Sequence, residues 1–407
     1  MKNAARGLAL LLILALLAGC GIRPAPAGTA VVPGETSSPE PSPTPDPAAA
    51  LVDALLADMT DGEKVGQLFF VRPDALDPAQ SPAAADDSSA PGVKQFTTEI
   101  AGMLTRYNVG GVVIFEKNLA SPEQLAGFIG DMQAASKTPL LFAVDEEGGT
   151  VSRLGRHPDF PLPWFPSAAE VGAKGDAGAA ETMGRTVGEY LAMYGFAMDF
   201  APVADVRTNP DNTVIGDRAF SSDPRAVCTM TDAVARGLLS RGIIPVYKHF
   251  PGHGDTDEDS HLGLAVTERT AEELRACEWL PYTENDLTGC AVMVGHIAAP
   301  ALTGDMTPAS LSKTMVTGYL RGELGFDGLV ITDSLSMNGI TNAWGPGRAA
   351  VAALEAGCDV LLMPADLREA YDAVLAAVRS GEIPTARLDE SVRRILIYKA
   401  RIGLLQQ

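Results

Sequence analysis

The 407-residue chain is short of several residue types that announce common protein classes. It has five cysteines, and none forms a CxxC pair, so neither a disulfide framework nor a zinc-ribbon spacing is present. Cys228, Cys277, Cys290 and Cys358 sit in segments with helical or strand patterns and read as isolated buried thiols. Positive charge is also scarce: 31 Lys and Arg face 51 Asp and Glu, a formal net charge of −20. A surface this acidic repels a nucleic-acid backbone, and it gives an anionic lipid surface nothing to hold. No apolar run is long enough to cross a bilayer as a helix. No GxGxxG follows the first strand-like segment, which weighs against a dinucleotide-binding sheet. Histidine is rare, with five in the chain. Three of the five, His249, His253 and His261, nevertheless crowd into one stretch.

What the chain does have begins with an address. Lys2 and Arg6 precede the apolar run Leu8 to Ala18, which ends in Leu17-Ala18-Gly19-Cys20. The charged start, short apolar core and small residues have the layout of a signal peptide. Small residues directly before a cysteine resemble the lipobox of bacterial lipoproteins. That resemblance implies a signal peptide over 1–19, lipid attachment at Cys20, and an extracytoplasmic protein held to the cell membrane by its lipid. Residues 22–50 hold eight of the 29 prolines amid Ser, Thr and Ala. This composition cannot build a core, so 20–50 is expected to be a tether. Residues 51–407 are the remaining domain.

Within that domain a period emerges. Apolar, β-branched runs recur as GQLFFV (66–71), VGGVVIF (109–115), LLFAVD (140–145), FAMDFAPVADV (196–206), IIPVYKHF (243–250), CAVMVGHI (290–297), GLVITD (328–333) and DVLLMP (359–364). Helical patterns lie between them, several opening on Ser, Thr or Asp and closing on Gly. Eight such alternations predict an α/β fold, a single (β/α)8 TIM-type barrel. Residues 51–65 predict one opening amphipathic helix, and 73–95 a long, low-complexity first βα loop with the composition of a mobile segment.

The notable polar residues of these runs sit at or near their C-terminal ends: Asp145, Asp205, Lys248, His249, His296 and Asp333. In a barrel those ends converge on one face, where active sites are built. The densest stretch is PVYKHFPGHGDTDEDSHLG, from Pro245 to Gly263. Its glycines and Pro251 exclude a helix and predict a tight loop leaving the fifth strand. The histidines lack the helix that zinc proteases place them on. The aspartates at 255, 257 and 259 depart from a calcium loop, with Ser260 where it needs Gly and Val266 where it needs Glu. No metal is expected there.

The run KHFPGHGDTDEDSH, with VDEEGGTVSRL upstream and VITDSLSM downstream, resembles glycoside hydrolase family 3, in its single-domain β-N-acetylglucosaminidase branch, over about residues 53–404. The resemblance implies a retaining double displacement on a terminal GlcNAc, without metal or organic cofactor. It makes Asp333 the nucleophile, a role suited to a carboxylate that is ionised at neutral pH. His261 becomes the acid/base with Asp259 as its partner. Most retaining glycosidases use two carboxylates, yet a histidine titrates near neutrality and a carboxylate can orient its ring. Asp145, Arg153, Arg218, Lys248 and His249 match the family's sugar-binding positions. Asp205 and His296 are expected to support the site, His253 to brace the loop, and His157 to be an ordinary exposed residue. With the lipobox, the family implies peptidoglycan-derived GlcNAc–MurNAc fragments as substrate. The same motifs leave open a glucoside or xyloside substrate and a phosphorylase reaction. A binding lipoprotein without catalysis is a further alternative, against which the intact Asp333, His261 and Asp259 argue.

Overall fold

The computed structural model describes residues 47–259 and 263–405, with the backbone alone at 47–48 and 257–259. Cys20 and His261 fall outside that range, as does the side chain of Asp259. Eight strands carry the fold: β1 Phe69–Val71, β2 Gly111–Val113, β3 Leu141–Val144, β4 Met198–Asp199, β5 Ile244–Phe250, β6 Ala291–Val294, β7 Leu329–Thr332 and β8 Leu361–Leu362. Consecutive strands pair in parallel from β1 to β7, and β1 also pairs with β8. A parallel bridge between Ile331 and Val360 closes the ring. All residues of the eight strands are buried. Strands covered on both faces must be apolar throughout rather than alternating, which is why the sequence shows them as continuous runs. Each expected run therefore contains its strand.

β4 is shorter than its run. Pro202 has no N–H to give a ladder, and after Asp199 the chain follows β5 through Val246 N–H to the Ala201 carbonyl, a bridge from Val203 to Lys248 and the bond from Ala204 N–H to the Lys248 carbonyl. This leaves Asp205 loose of the sheet and beside the end of β5.

The helices begin and end where their caps are. Ser121, Asp176, Asp223 and Asp366 accept from the first-turn amides of Pro122–Ala135, Ala177–Tyr194, Pro224–Leu239 and Leu367–Ser380. The second and third of these pack almost backbone to backbone. A Cβ on Gly184 would come within 2.2 Å of the Val234 carbonyl oxygen, and one on Gly237 within 2.3 Å of that of Glu181.

Two expectations change. The opening helix is two helices, Pro47–Asp58 and Asp61–Gln67. Thr60 and Glu63 form a capping box that starts the second, and a residue in the extended N-cap conformation cannot continue a preceding helix. The first begins at Pro47, inside the stretch read as tether. The segment 73–95 is folded rather than a low-complexity excursion. It contains a turn of 3-10 helix at Pro73–Leu76 and a helix at Pro82–Asp86. Buried Asp74 accepts from Val93 N–H at 3.1 Å and Asn118 Nδ2 at 2.8 Å, while Lys117 Nζ donates to the carbonyls of Ala84, Ala85 and Asp87.

Candidate active site

Every strand-end residue singled out above lies at the C-terminal mouth of the barrel. The pleat and tilt of the strands bring residues far apart in sequence into contact there. Asp145 follows β3, Lys248 and His249 are in β5, His296 follows β6 and Asp333 follows β7. Lys248 Nζ lies 2.9 Å from Asp145 Oδ1 and 2.6 Å from Glu147 Oε1, and its side chain is 2% exposed. Arg218 forks onto Glu147, Nε to Oε2 at 2.9 Å and Nη2 to Oε1 at 2.8 Å. Arg153 reaches Asp145 Oδ2 at 3.4 Å. Two carboxylates and three cations thus form one chain of contacts.

The charges in this chain hold one another ionised. Burial alone would raise the carboxyls of Asp145 and Glu147, but Lys248 outweighs it, helped by Arg153 at Asp145 and by Arg218 at Glu147, and both end below the usual carboxylate range. Burial would likewise lower Lys248, and the same two carboxylates hold it above the ordinary lysine value. The result is an interlocked set of charged donors and acceptors, with Asp145 and Arg153 still partly exposed, suited to the vicinal hydroxyls of a sugar. Arg218 is tied to Glu147 and to the Val214 carbonyl, so its placement at the site runs through Glu147.

The second group is built on Asp205. Its Oδ2 sits 2.7 Å from His249 Nδ1, and its Oδ1 accepts from His249 N–H at 3.2 Å and His253 N–H at 2.6 Å. This buried carboxylate fixes both the ring of His249 and the start of the following loop. Burial would raise Asp205, but His249 and His253 hold it low. His253 braces the loop as expected, with Nδ1 2.7 Å from Thr256 Oγ1. Beyond it the backbone of Asp257–Asp259 pairs antiparallel with Leu264–Val266.

Asp333 occupies the third position. Its own N–H donates to the Val294 carbonyl and its Oδ1 accepts from Ser334 N–H at 2.7 Å. Burial pushes this carboxyl up, but His296, His249, the Ser334 amide and Lys248 outweigh it and hold it ionised. His296 is clamped between the Ser334 carbonyl at Nε2, 2.8 Å, and Ser310 Oγ at Nδ1, 2.7 Å. With Nε2–H donating, Nδ1 is free to accept from the serine; burial pushes the ring's pKa down, and Asp333 pulls it back up. A contact chain from Ser334 through Ser336 and Asp86 to Arg72 carries the mouth round to β1. Arg72 and Arg153 both lie over the Phe115 ring, at 4.5 and 5.4 Å.

Three residues at the mouth escaped the sequence reading. Glu147 joins Lys248 to Arg218. Beneath it Asp199 accepts from Glu146 N–H at 3.0 Å, and burial, then the neighbouring Glu146, pushes its carboxyl well above the usual range. Glu146 in turn accepts from Ser152, the amides of Leu154 and Gly155, and Tyr190. The only signal for the two glutamates was their adjacency in VDEEGG, directly after Asp145. His157 is not the exposed residue expected: it is half-buried, edge-on to Phe160 at 5.2 Å. All four cysteines of the described residues are free thiols, three of them buried. Among the described residues no cluster of three or more His, Cys, Asp or Glu could hold a metal ion.

Comparison with known proteins gives the family and the fold. The family described as glycosyl hydrolase family 3 N-terminal domain matches residues 60–397. The β-hexosaminidase LpqI of Mycobacterium tuberculosis is 35% identical over 399 residues, which is 95% of this chain and 94% of that protein. Beta-hexosaminidase A of Pseudoalteromonas piscicida is 32% identical over 75% of this chain, which spans only 55% of that longer relative. Among solved structures, a glycoside hydrolase family 3 β-N-acetylglucosaminidase from a Paenibacillus strain superposes with a TM-score of 0.76 and 37% identity, covering 85% of this chain and 63% of its own. The chain, with its closed parallel barrel and its charged C-terminal mouth, belongs to glycosyl hydrolase family 3.

Proposed function

We propose that this protein is a retaining exo-β-N-acetylhexosaminidase that removes a terminal GlcNAc. The observation that carries the reading is Asp333. It is an ionised carboxylate at the end of β7, opening onto the same mouth as the Asp145–Lys248–Glu147–Arg218 array. The β-hexosaminidase relatives support GlcNAc as the sugar. Asp333 attacks the anomeric carbon as the glycosidic bond breaks, and the acid/base, His261 oriented by Asp259, gives its proton to the leaving oxygen. The same group then takes a proton from water, which attacks the glycosyl ester and releases the sugar with its configuration retained. Asp145, Arg153, Lys248 and His249 hold the sugar hydroxyls.

The direct test is hydrolysis of 4-nitrophenyl β-GlcNAc, with and without phosphate. We expect GlcNAc as product in both and a loss of at least about a thousandfold in Asp333→Ala. GlcNAc-1-phosphate formed only with phosphate would identify a phosphorylase instead, and retained turnover in the variant would remove Asp333 from the mechanism.

The natural substrate and the location belong to the same proposal. GlcNAc–MurNAc fragments of peptidoglycan fit an extracytoplasmic enzyme, and the Leu17-Ala18-Gly19-Cys20 motif supports a lipid anchor at Cys20. Mass spectrometry of the mature N-terminus is expected to find a lipidated Cys20, and an unmodified one would refute the anchor.

A further inference from the structure

The loop after β5 leaves the barrel at Pro251 and returns at Arg269. The structure places an ion pair across its neck. Asp255 on the outgoing leg receives Arg269 on the returning leg as a fork, Nη2 to Oδ1 at 2.9 Å and Nε to Oδ2 at 2.9 Å. The acid/base pair of the proposed mechanism, Asp259 and His261, lies in sequence between these two residues. Arg269 also faces Glu278, with Nη1 3.4 Å from its carboxylate. Glu278 is fully buried, and its methylenes pack against Gly252 so closely that a Cβ there would meet Glu278 Cγ at 2.5 Å. Thr208 Oγ1, from the loop after β4, donates to Asp255 Oδ1 at 3.1 Å. Trp279 Nε1 donates to the Pro251 carbonyl at 3.1 Å.

We infer that Arg269 is a positioning residue, which clasps the two legs of this loop through Asp255 and so aims the acid/base that the loop carries. The inference rests on the proposed role of His261. None of the clasp's groups lies among those assigned to the sugar, and the fork ties the two legs on either side of the stretch that carries Asp259 and His261 in the sequence. A planar guanidinium fixes two oxygens at once, which a lysine ammonium cannot do. Placement is worth much to a general acid: proton transfer contributes about 10²–10⁴-fold and decays when the donor is misaligned.

An acid that is present but misaimed has a recognisable signature. A leaving group that departs without protonation does not need it, whereas an alkoxide does. The test compares 2,4-dinitrophenyl and methyl β-GlcNAc glycosides in Arg269→Ala, Arg269→Lys, Asp255→Asn and His261→Ala, with thermal unfolding of each. We expect Arg269→Ala and Asp255→Asn to lose about tenfold more kcat/KM on the methyl glycoside than on the activated one, with Arg269→Lys between them and the wild type. His261→Ala is expected to show the same split, larger. If His261→Ala is split and the clasp variants fall equally on both substrates, the clasp is merely structural and the inference is overturned. If His261→Ala shows no split, the acid/base assignment falls and takes the inference with it. Asp255→Asn, nearly isosteric, keeps the test decisive should Arg269→Ala not fold.

Discussion

Two lysines are buried in this barrel, and they have been treated in opposite ways. Lys248, at the C-terminal mouth, is ringed by Asp145 and Glu147 at 2.9 and 2.6 Å and is held above its ordinary pKa. Lys399, in the closing helix Thr385–Arg401, is 0% exposed and donates to Gln67 Oε1 at 2.6 Å. Among the described residues no carboxylate lies within ion-pair distance of it, and burial drives its pKa from 10.5 to about 7. The difference teaches that burial does not decide whether a lysine carries charge. Its partners do. The fold keeps a permanent cation where a polar ligand must be held, and tolerates a half-neutralised one where the amine only fills a gap beside a side-chain amide.

The comparison breaks most visibly at Lys248. Lys248→Met takes away the cation that Asp145 and Glu147 share and leaves each with one arginine, and removing one partner of a buried ion pair costs about 3–5 kcal/mol of stability. Urea unfolding is expected to show that loss, and 4-nitrophenyl β-GlcNAc turnover should fall with it. The pH dependence follows from the directions of the shifts. Asp145 and Glu147 are depressed, so their stabilisation is present above the ordinary carboxylate range and lost as pH falls through their lower folded values. Lys248 is raised, so its stabilisation is complete below 10.5 and lost only as pH rises through its folded value. The Lys248→Met deficit should therefore be flat across neutral pH, and a deficit that varied between pH 6 and 9 would mean the array is not fully charged.

Glu147→Gln sharpens the same point with a smaller effect. The amide keeps the shape but loses the charge that faces both Lys248 and Arg218, a charge-assisted bond worth about 1.5–3 kcal/mol. Stability should drop by that order and Arg218 should lose its fork. An unchanged unfolding midpoint would show that Asp145 alone is enough to hold Lys248.

How far the sequence reveals these arrangements depends on whether a residue's environment is local or remote. The eight strands are legible because each is covered on both faces and must be apolar from end to end, and the strand-end position of Asp145, Lys248 and Asp333 is legible for the same reason. Glu147 was not, since what makes it matter is Lys248 and Arg218, the latter 71 residues away. The segment 73–95 misled because its composition is that of a tether. Several of the contacts that fold it run to backbone carbonyls, such as those Lys117 reaches at Ala84, Ala85 and Asp87, and these leave no trace in side-chain pattern. The Thr60-x-x-Glu63 box could have been seen, but the apolar period of 51–65 masked it.

Lys399→Met tests the other half of the comparison, with the smallest effect and the opposite sign. Above pH 10.5 the amine is neutral in folded and unfolded chains alike, and its burial costs nothing in proton linkage. As pH falls from 10.5 toward 7 the unfolded chain takes up a proton that the folded one refuses, so stability declines across that window. Below about 7 both forms are charged and the penalty is constant. Methionine has nearly the same length and no proton to refuse. It gives up the bond to Gln67, whose Nε2 still holds the Asn108 carbonyl at 2.6 Å. Replacing an unpaired buried ion by a well-packed apolar side chain commonly gains stability. After the lost bond is subtracted, we expect a net gain of about 1–2 kcal/mol at pH 7. Thermal unfolding at pH 7, 9 and 10.5 should show that gain shrinking with rising pH until the lost bond dominates. A gain independent of pH would mean that Lys399 is charged in the folded state at every pH tested. The two lysines would then differ in their neighbours but not in their ionisation.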